Sequence, residues 1–197
     1  IAQKDLEIRG AGNLLGREQS GHVTSVGFDL YIQLLNEEIE KLKGVKIETE
    51  LDTNIKLSIN AFIPEHFVPN EHARLSIYKQ LSMIKEIEEV DETRVELIDR
   101  FGALPDTLEK LLKLIKIKVV AKKAKIISIE ERKYSMHFIF NNAMDIDTKR
   151  IKLINKKYYE RLEFSLIKAP QLIVWIKNIS VDEKLEMVNS ILRTLLS

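Results

Sequence analysis

The sequence predicts an α+β fold, in which a small, mostly antiparallel sheet is packed with helices and preceded by a glycine-rich loop and a long amphipathic helix. Three observations predict it. Glycines are concentrated near the start of the chain, several later segments repeat apolar residues at helical spacing, and beyond about residue 125 the apolar period shortens to two. Hydrophobic residues make up 45% and charged residues 31% of the chain, a composition typical of globular proteins.

The glycine-rich loop comes first. Five of the seven glycines fall within residues 10–27, where a backbone would use them for positive φ or for close approach without a Cβ. Apolar residues then recur at helical spacing from Phe28, and the pattern stops at Gly44, a suitable C-cap. We therefore divide the chain into residues 1–44 and residues 45–197.

A strand and a helix open the second part. Apolar residues alternate with mostly polar ones from Ile55 to Ile63, which predicts a half-buried strand ending at Pro64. Asn70 suits the N-cap of a helix that begins near Glu71, because its side chain can accept a hydrogen bond from a free backbone N–H.

Two further helices follow. The first is predicted from about Asp91 to Phe101. Pro105 suits a first helical position and Asp106 favours the positive end of the helix dipole, so the second begins there and runs to about Lys125.

Strands dominate the rest of the chain until a last helix. Ser180 and Glu183 form a capping-box pattern that opens this helix. Trp175 lies inside an apolar strand, and we expect it to pack in the core. The other predicted elements are strands over residues 126–131, 134–140 and 172–176, a strand along Leu162, Phe164 and Leu166, and a helix over about 147–156.

Composition excludes several classes of function. Without cysteine the chain has no disulfide, no thiolate metal site and no cysteine nucleophile. No apolar run is long enough to span a bilayer, so we expect a cytoplasmic protein without a membrane partner. Because the chain does not begin with Met, we expect it to be a piece of a longer protein.

Charge is unevenly distributed. Residues 1–44 carry five basic and seven acidic side chains, residues 45–103 seven and twelve, and residues 104–197 nineteen and eleven. A basic C-terminal half is compatible with nucleic acid, and an acidic middle with a basic protein surface. For the lysines between Lys110 and Lys125 we favour the simpler interpretation, in which long side chains lie over an apolar surface.

No catalytic or cofactor-binding pattern is complete. Gly10, Gly12 and Gly16 are spaced one residue too widely for a dinucleotide fingerprint, and His22 stands where a P-loop needs lysine. The four histidines have no metal-binding spacing, and we expect them to be exposed or hydrogen-bonded. The chain is therefore predicted to have no catalytic residue, no metal site and no cofactor.

Two resemblances add to this interpretation. The stretch DLEIRGAGNLLGREQSG (5–21) resembles the TRG motif, which follows the last helicase motif in RecG-type DNA translocases. The stretches VGFDLYIQLL (26–35), IPEHFVPNEHARLSIYKQL (63–81) and VELIDRFGALPD (95–106) resemble the C-terminal region of bacterial transcription-repair coupling factors.

The first resemblance implies that residues 1–44 couple ATP hydrolysis to movement on double-stranded DNA. ATP and magnesium would be bound by motor lobes elsewhere in the longer protein. Arg9 and Gln19 would be the functional polar residues, because a guanidinium and an amide can exchange hydrogen-bond partners during such a cycle. The glycines that would shape this loop are Gly10, Gly12, Gly16 and Gly21.

The second resemblance implies a regulatory domain over residues 45–197. In that family the domain packs against a UvrB-like module and masks the surface that recruits UvrA, until stalled RNA polymerase is engaged. Glu96 and Asp99 would make charged contacts in that interface. The alternative is a nucleic-acid-binding module that uses the basic C-terminal half.

Overall fold

The computed structural model describes residues 53–197. The predicted glycine-rich loop and the amphipathic helix that follows it lie outside these residues. The described part contains strands β1 (Asn54–Lys56), β2 (Ile126–Arg132), β3 (Ser135–Phe140), β4 (Leu162–Ser165) and β5 (Gln171–Trp175), and helices α1 (Glu71–Met83), α2 (Ile87–Phe101), α3 (Asp106–Lys123), α4 (Thr148–Tyr158) and α5 (Val181–Leu196).

The five strands form one sheet in the order β1-β2-β3-β5-β4. Only β1 and β2 run parallel, and the other three pairs are antiparallel. The predicted α+β class with a mostly antiparallel sheet is confirmed.

One face of the sheet builds the core. Ile129 pairs with Phe138, and Phe138 in turn with Leu172, so the three side chains share a face, and none of them is exposed. They belong to the same apolar cluster as Leu111 of α3 and Leu185 of α5. The helices therefore close over this face and leave residues of opposite parity on the other.

Two N-caps, those of α1 and α5, were correctly predicted from local sequence, and the structure adds a third at the start of α4. The Asn70 side chain accepts from Ala73 N–H at 2.9 Å, the Asp147 side chain caps α4, and Ser180 and Glu183 complete the capping box of α5. Helix α2, however, begins about four residues earlier than predicted. Its capping box is formed by Glu86 and Glu89, an acidic variant that the sequence pattern did not indicate.

The predicted strand from Ile55 to Ile63 pairs with the sheet only over Asn54–Lys56. Burial nevertheless alternates along the whole segment, with the residues at odd positions from 55 to 63 buried. Beyond Lys56 the backbone finds partners other than a strand: Phe62 N–H donates to the Thr107 carbonyl and Ile63 N–H to the Tyr78 hydroxyl. Alternating apolar residues therefore predict that every second side chain is buried, but they do not by themselves predict that the segment pairs with a strand.

Trp175 is not a core residue, and that prediction is wrong. Its side chain is 49% exposed, because Leu172 and Val174 take the buried face of β5 and Trp175 takes the other. Leu166 lies beyond the end of β4 and is also exposed. A continuous apolar run cannot tell which face of the sheet is covered.

Candidate docking site on helix α2

Of the residues predicted to be functional, the structure places two. Glu96 and Asp99 lie on α2, whereas the TRG residues Arg9, Gln19, Gly10, Gly12, Gly16 and Gly21 lie outside the described residues.

Helix α2 has one buried side and one exposed side. Val90 and Leu97 are buried in the core, and Thr93 between them is also buried, with its hydroxyl donating to the Glu89 carbonyl at 2.8 Å. At 100° per residue the opposite side is centred on Val95, whose side chain is 65% exposed. The acidic neighbours of Val95 on this exposed side are Glu88, Glu92 and Asp99.

Glu96 flanks this exposed side and points toward α1. Its carboxylate accepts from Gln80 Nε2 at 3.1 Å and from an Arg100 guanidinium nitrogen at 2.6 Å. The hydrogen bond from Gln80, and then the one from Arg100, lower the pKa of Glu96. Glu96 is therefore ionised at neutral pH and held in one orientation.

Asp99 differs from Glu96 in its surroundings. It is exposed, and within residues 53–197 its carboxylate makes no hydrogen bond or ion pair. Residues three apart on a helix are neighbours, so the two carboxylates lie close to one another while facing different directions. The structure thus supplies one positioned carboxylate and one unneutralised carboxylate.

A groove of about 540 Å³ runs between α1 and α2 beside Glu96. Met83 in its wall is 67% exposed, which puts an apolar surface in the same groove as Glu96. The other lining residues are Ser76, Lys79, Gln80, Ile84, Glu89, Glu92, Thr93 and Glu96. Gln80 and Met83 carry no functional signal in the sequence, because the groove exists only where two helices meet.

Some of the acidic side chains at and near the start of α2 form ion pairs within the domain. Asp91 pairs with Lys116 at 2.6 Å, and Glu86 pairs with Lys123. Arg94 forms a bidentate ion pair with Glu109 of α3, with its guanidinium nitrogens 2.6 to 3.2 Å from the carboxylate oxygens. These contacts hold α2 against α3, so the carboxylates left for a partner are those on the exposed side.

The described residues contain no group of three or more His, Asp or Glu side chains arranged to hold a metal. His66 and His72 are exposed. His137 is buried, with its ring nitrogens 2.9 Å from Ser135 Oγ and from Gln171 Oε1. The expectation of exposed or hydrogen-bonded histidines is confirmed for these three. Among the helices of this part, none combines the length and apolar character needed to cross a membrane.

Comparison with known proteins gives concordant matches. A family model described as the TRCF domain matches residues 57–151. A transcription-repair-coupling factor of Borreliella burgdorferi is 36% identical over 188 residues, 95% of this chain, and one of Bacillus subtilis is 35% identical over 199 residues, 99% of this chain. The chain spans about 17% of the length of either relative.

A solved structure shares the fold. The crystal structure of a C-terminal domain of a transcription-repair coupling factor superposes with a TM-score of 0.67, covering 74% of this chain and 92% of the other. Sequence identity over this match is 22%.

Proposed function

Because the chain belongs to the transcription-repair-coupling factor family, we propose that residues 45–197 form a regulatory domain that restrains the longer protein through the exposed side of α2. The domain would pack on a UvrB-like module and mask the surface that recruits UvrA. The proposal gives this chain no catalytic step of its own.

The proposal depends on two carboxylates of α2, Glu96 and Asp99, which differ in their hydrogen-bond and ion-pair partners. Glu96 is oriented in advance by Gln80 and Arg100, so it loses little side-chain freedom when a partner's donor arrives. Asp99 has no ion-pair partner among the described residues and contributes a charge that can attract a basic surface. Exposed Val95 lies next to Glu96 on α2, and exposed Met83 lines the same groove as Glu96, so the site also has an apolar part.

For the longer protein we propose coupling of transcription to DNA repair, as the family name says, by the steps that the sequence resemblance implies. It would hydrolyse ATP with magnesium in motor lobes, move on double-stranded DNA, displace stalled RNA polymerase and recruit UvrA for repair. Residues 1–44 would transmit the motor cycle through Arg9 and Gln19. Arg9→Ala in the full-length protein is expected to keep ATP hydrolysis and lose movement on DNA, and normal movement would refute this role.

The masking role is tested in the full-length protein by capture of UvrA. Glu96→Ala and Asp99→Asn are each expected to increase the UvrA retained in a pull-down. Removing one partner of a hydrogen-bonded charge pair that is buried in an interface weakens the interface by about 2 to 5 kcal/mol. Glu186→Ala is the matched control, since this carboxylate is exposed and lies on a different helix, α5.

The amount of UvrA captured by the three variants distinguishes masking by α2 from a non-specific effect of removing a negative charge. Increased capture by the two α2 variants with unchanged capture by Glu186→Ala supports the proposal. Unchanged capture by both α2 variants, each with unaltered thermal unfolding, would contradict it.

A further inference from the structure

Helix α4 is strongly cationic. Between Thr148 and Tyr158 it carries five basic side chains and no acidic one. Its apolar side is used within the domain, because Ile154 is buried and Ile151 and Tyr158 pack against the same core. The helix is therefore firmly attached, and its opposite side faces outward.

Two of the five cations have partners in the domain. Arg150 donates to the Leu195 carbonyl and lies 3.5 Å from the Asp147 carboxylate. Lys157 Nζ donates to Ser190 Oγ at 2.6 Å. These two side chains help to hold α4 against α5.

The other three form what we term the α4 lysine face: Lys149, Lys152 and Lys156. They are all exposed, and their spacing of three and four residues puts them on one side of the helix. Within residues 53–197 none of their ammonium groups has a hydrogen-bond or ion-pair partner. Leu153, 57% exposed, is their apolar neighbour.

The contrast with α3 shows that this is more than a lysine-rich surface. On α3, Lys110, Lys113 and Lys116 lie beside Asp106, Asp182 and Asp91, at 2.5, 3.7 and 2.6 Å. These three positive charges on α3 are thus paired within the domain, whereas the three of the α4 lysine face have no partner among the described residues.

We propose that the α4 lysine face binds the phosphate backbone of double-stranded DNA. Ammonium groups recognise phosphates as point charges, and binding releases counterions from the duplex. From Lys149 to Lys156 the helix rises about 10 Å, close to three base-pair steps. Within Thr148–Tyr158 the exposed side of α4 carries no aromatic side chain, and the exposed ring of Tyr159 lies beyond the end of the helix, so the face has no row of rings on which successive bases of a single strand could stack. Since the apolar side of α4 is buried, insertion into a lipid surface is disfavoured.

The test compares two triple variants of the 197-residue chain, each of which loses three positive charges. Lys149→Gln/Lys152→Gln/Lys156→Gln removes the α4 lysine face, and Lys110→Gln/Lys113→Gln/Lys116→Gln removes the paired lysines of α3. Binding is measured by fluorescence anisotropy of a labelled mixed-sequence duplex at several NaCl concentrations, with thermal unfolding of every variant followed by circular dichroism.

The glutamine variant of the α4 lysine face is expected to bind DNA at least about tenfold more weakly at low salt. The magnitude of the negative slope of log K against log salt concentration should decrease by about two to three. The α3 variant should bind within about twofold of the parent, and Lys→Arg changes at the three α4 positions should retain binding. Three results would each overturn the proposal. The first is an equal loss of DNA affinity in the two glutamine variants, and the second is no DNA binding by the parent chain at about 50 mM salt. The third is that poly-L-glutamate competes for the chain as well as unlabelled duplex does at matched charge.

Discussion

Glu131 and Lys184 form a largely enclosed ion pair, in which Nζ lies 2.6 Å from Oε1 and the side chains are only 13% and 15% exposed. The other carboxylate oxygen of Glu131 accepts from the backbone N–H of Ser58 at 2.8 Å. One side chain of β2 therefore ties α5 and the extended segment after β1 to the sheet.

Removing Glu131 is expected to destabilise the domain. Glu131→Ala leaves the Lys184 ammonium poorly solvated and the Ser58 N–H without its acceptor, and such truncations cost about 3 to 5 kcal/mol. The measurement is the free energy of unfolding in urea. A double variant, Glu131→Leu/Lys184→Met, should recover part of the loss because no unpaired charge remains. A loss below about 1 kcal/mol for Glu131→Ala would show that water replaces the missing carboxylate.

Glu96 should make stability depend weakly on pH. Its pKa in the folded protein lies below the usual 4.5, because Gln80 and Arg100 favour the charged form. The stabilisation is therefore fully present above about pH 4.5 and is lost as the pH falls through the lowered folded value. Because the side chain is 43% exposed, solvent screening limits the effect to a few tenths of a kcal/mol.

The comparison for Glu96 uses Glu96→Gln, which removes the titrating group. Urea midpoints of the two proteins should differ slightly at pH 7 and converge toward pH 3. If the difference instead grows on acidification, the assignment of the lowered pKa to Glu96 is wrong.

Trp175 should be a surface reporter. As the chain's sole tryptophan, half-exposed, it should emit at long wavelength and be quenched readily by iodide. Trp175→Phe should change the free energy of unfolding by less than about 1 kcal/mol. Phe138→Ala, at a fully buried site on the other face of the sheet, should cost about 3 to 5 kcal/mol. Iodide-resistant, blue-shifted emission from the folded chain would contradict the exposed position.

Gly102 should resist substitution for a conformational reason alone. It caps α2 with φ +88° and ψ −158°, and its N–H donates to the Ile98 carbonyl at 2.9 Å. A Cβ there would meet nothing within 4 Å, so the cost comes from the backbone. Gly102→Ala is expected to lose about 1 to 3 kcal/mol of unfolding free energy, with Ser76→Ala on the surface of α1 as control. A neutral result would show that the end of α2 can adopt another conformation.

Local sequence determined the elements whose signals lie within a turn or two of the chain. The Asn70 cap, the Ser180–Glu183 capping box and the apolar stripe of α5 depend on neighbouring residues, and the structure confirms them. The change of apolar period near residue 125 likewise predicted β2 and β3. Hydrogen bonding and side-chain spacing at short range are sufficient for such features.

Tertiary structure alone decided which surfaces are covered and which charges are neutralised. Trp175 and Val174 are adjacent in one apolar run, yet only Val174 faces the helices. Lys116 and Lys152 both lie on lysine-rich helices, but Asp91 reaches the first from another helix and no described carboxylate reaches the second. Glu96 acquired its lowered pKa from Gln80, sixteen residues away. A one-dimensional pattern records the spacing of side chains along an element, whereas burial and ion pairing depend on which element packs beside it.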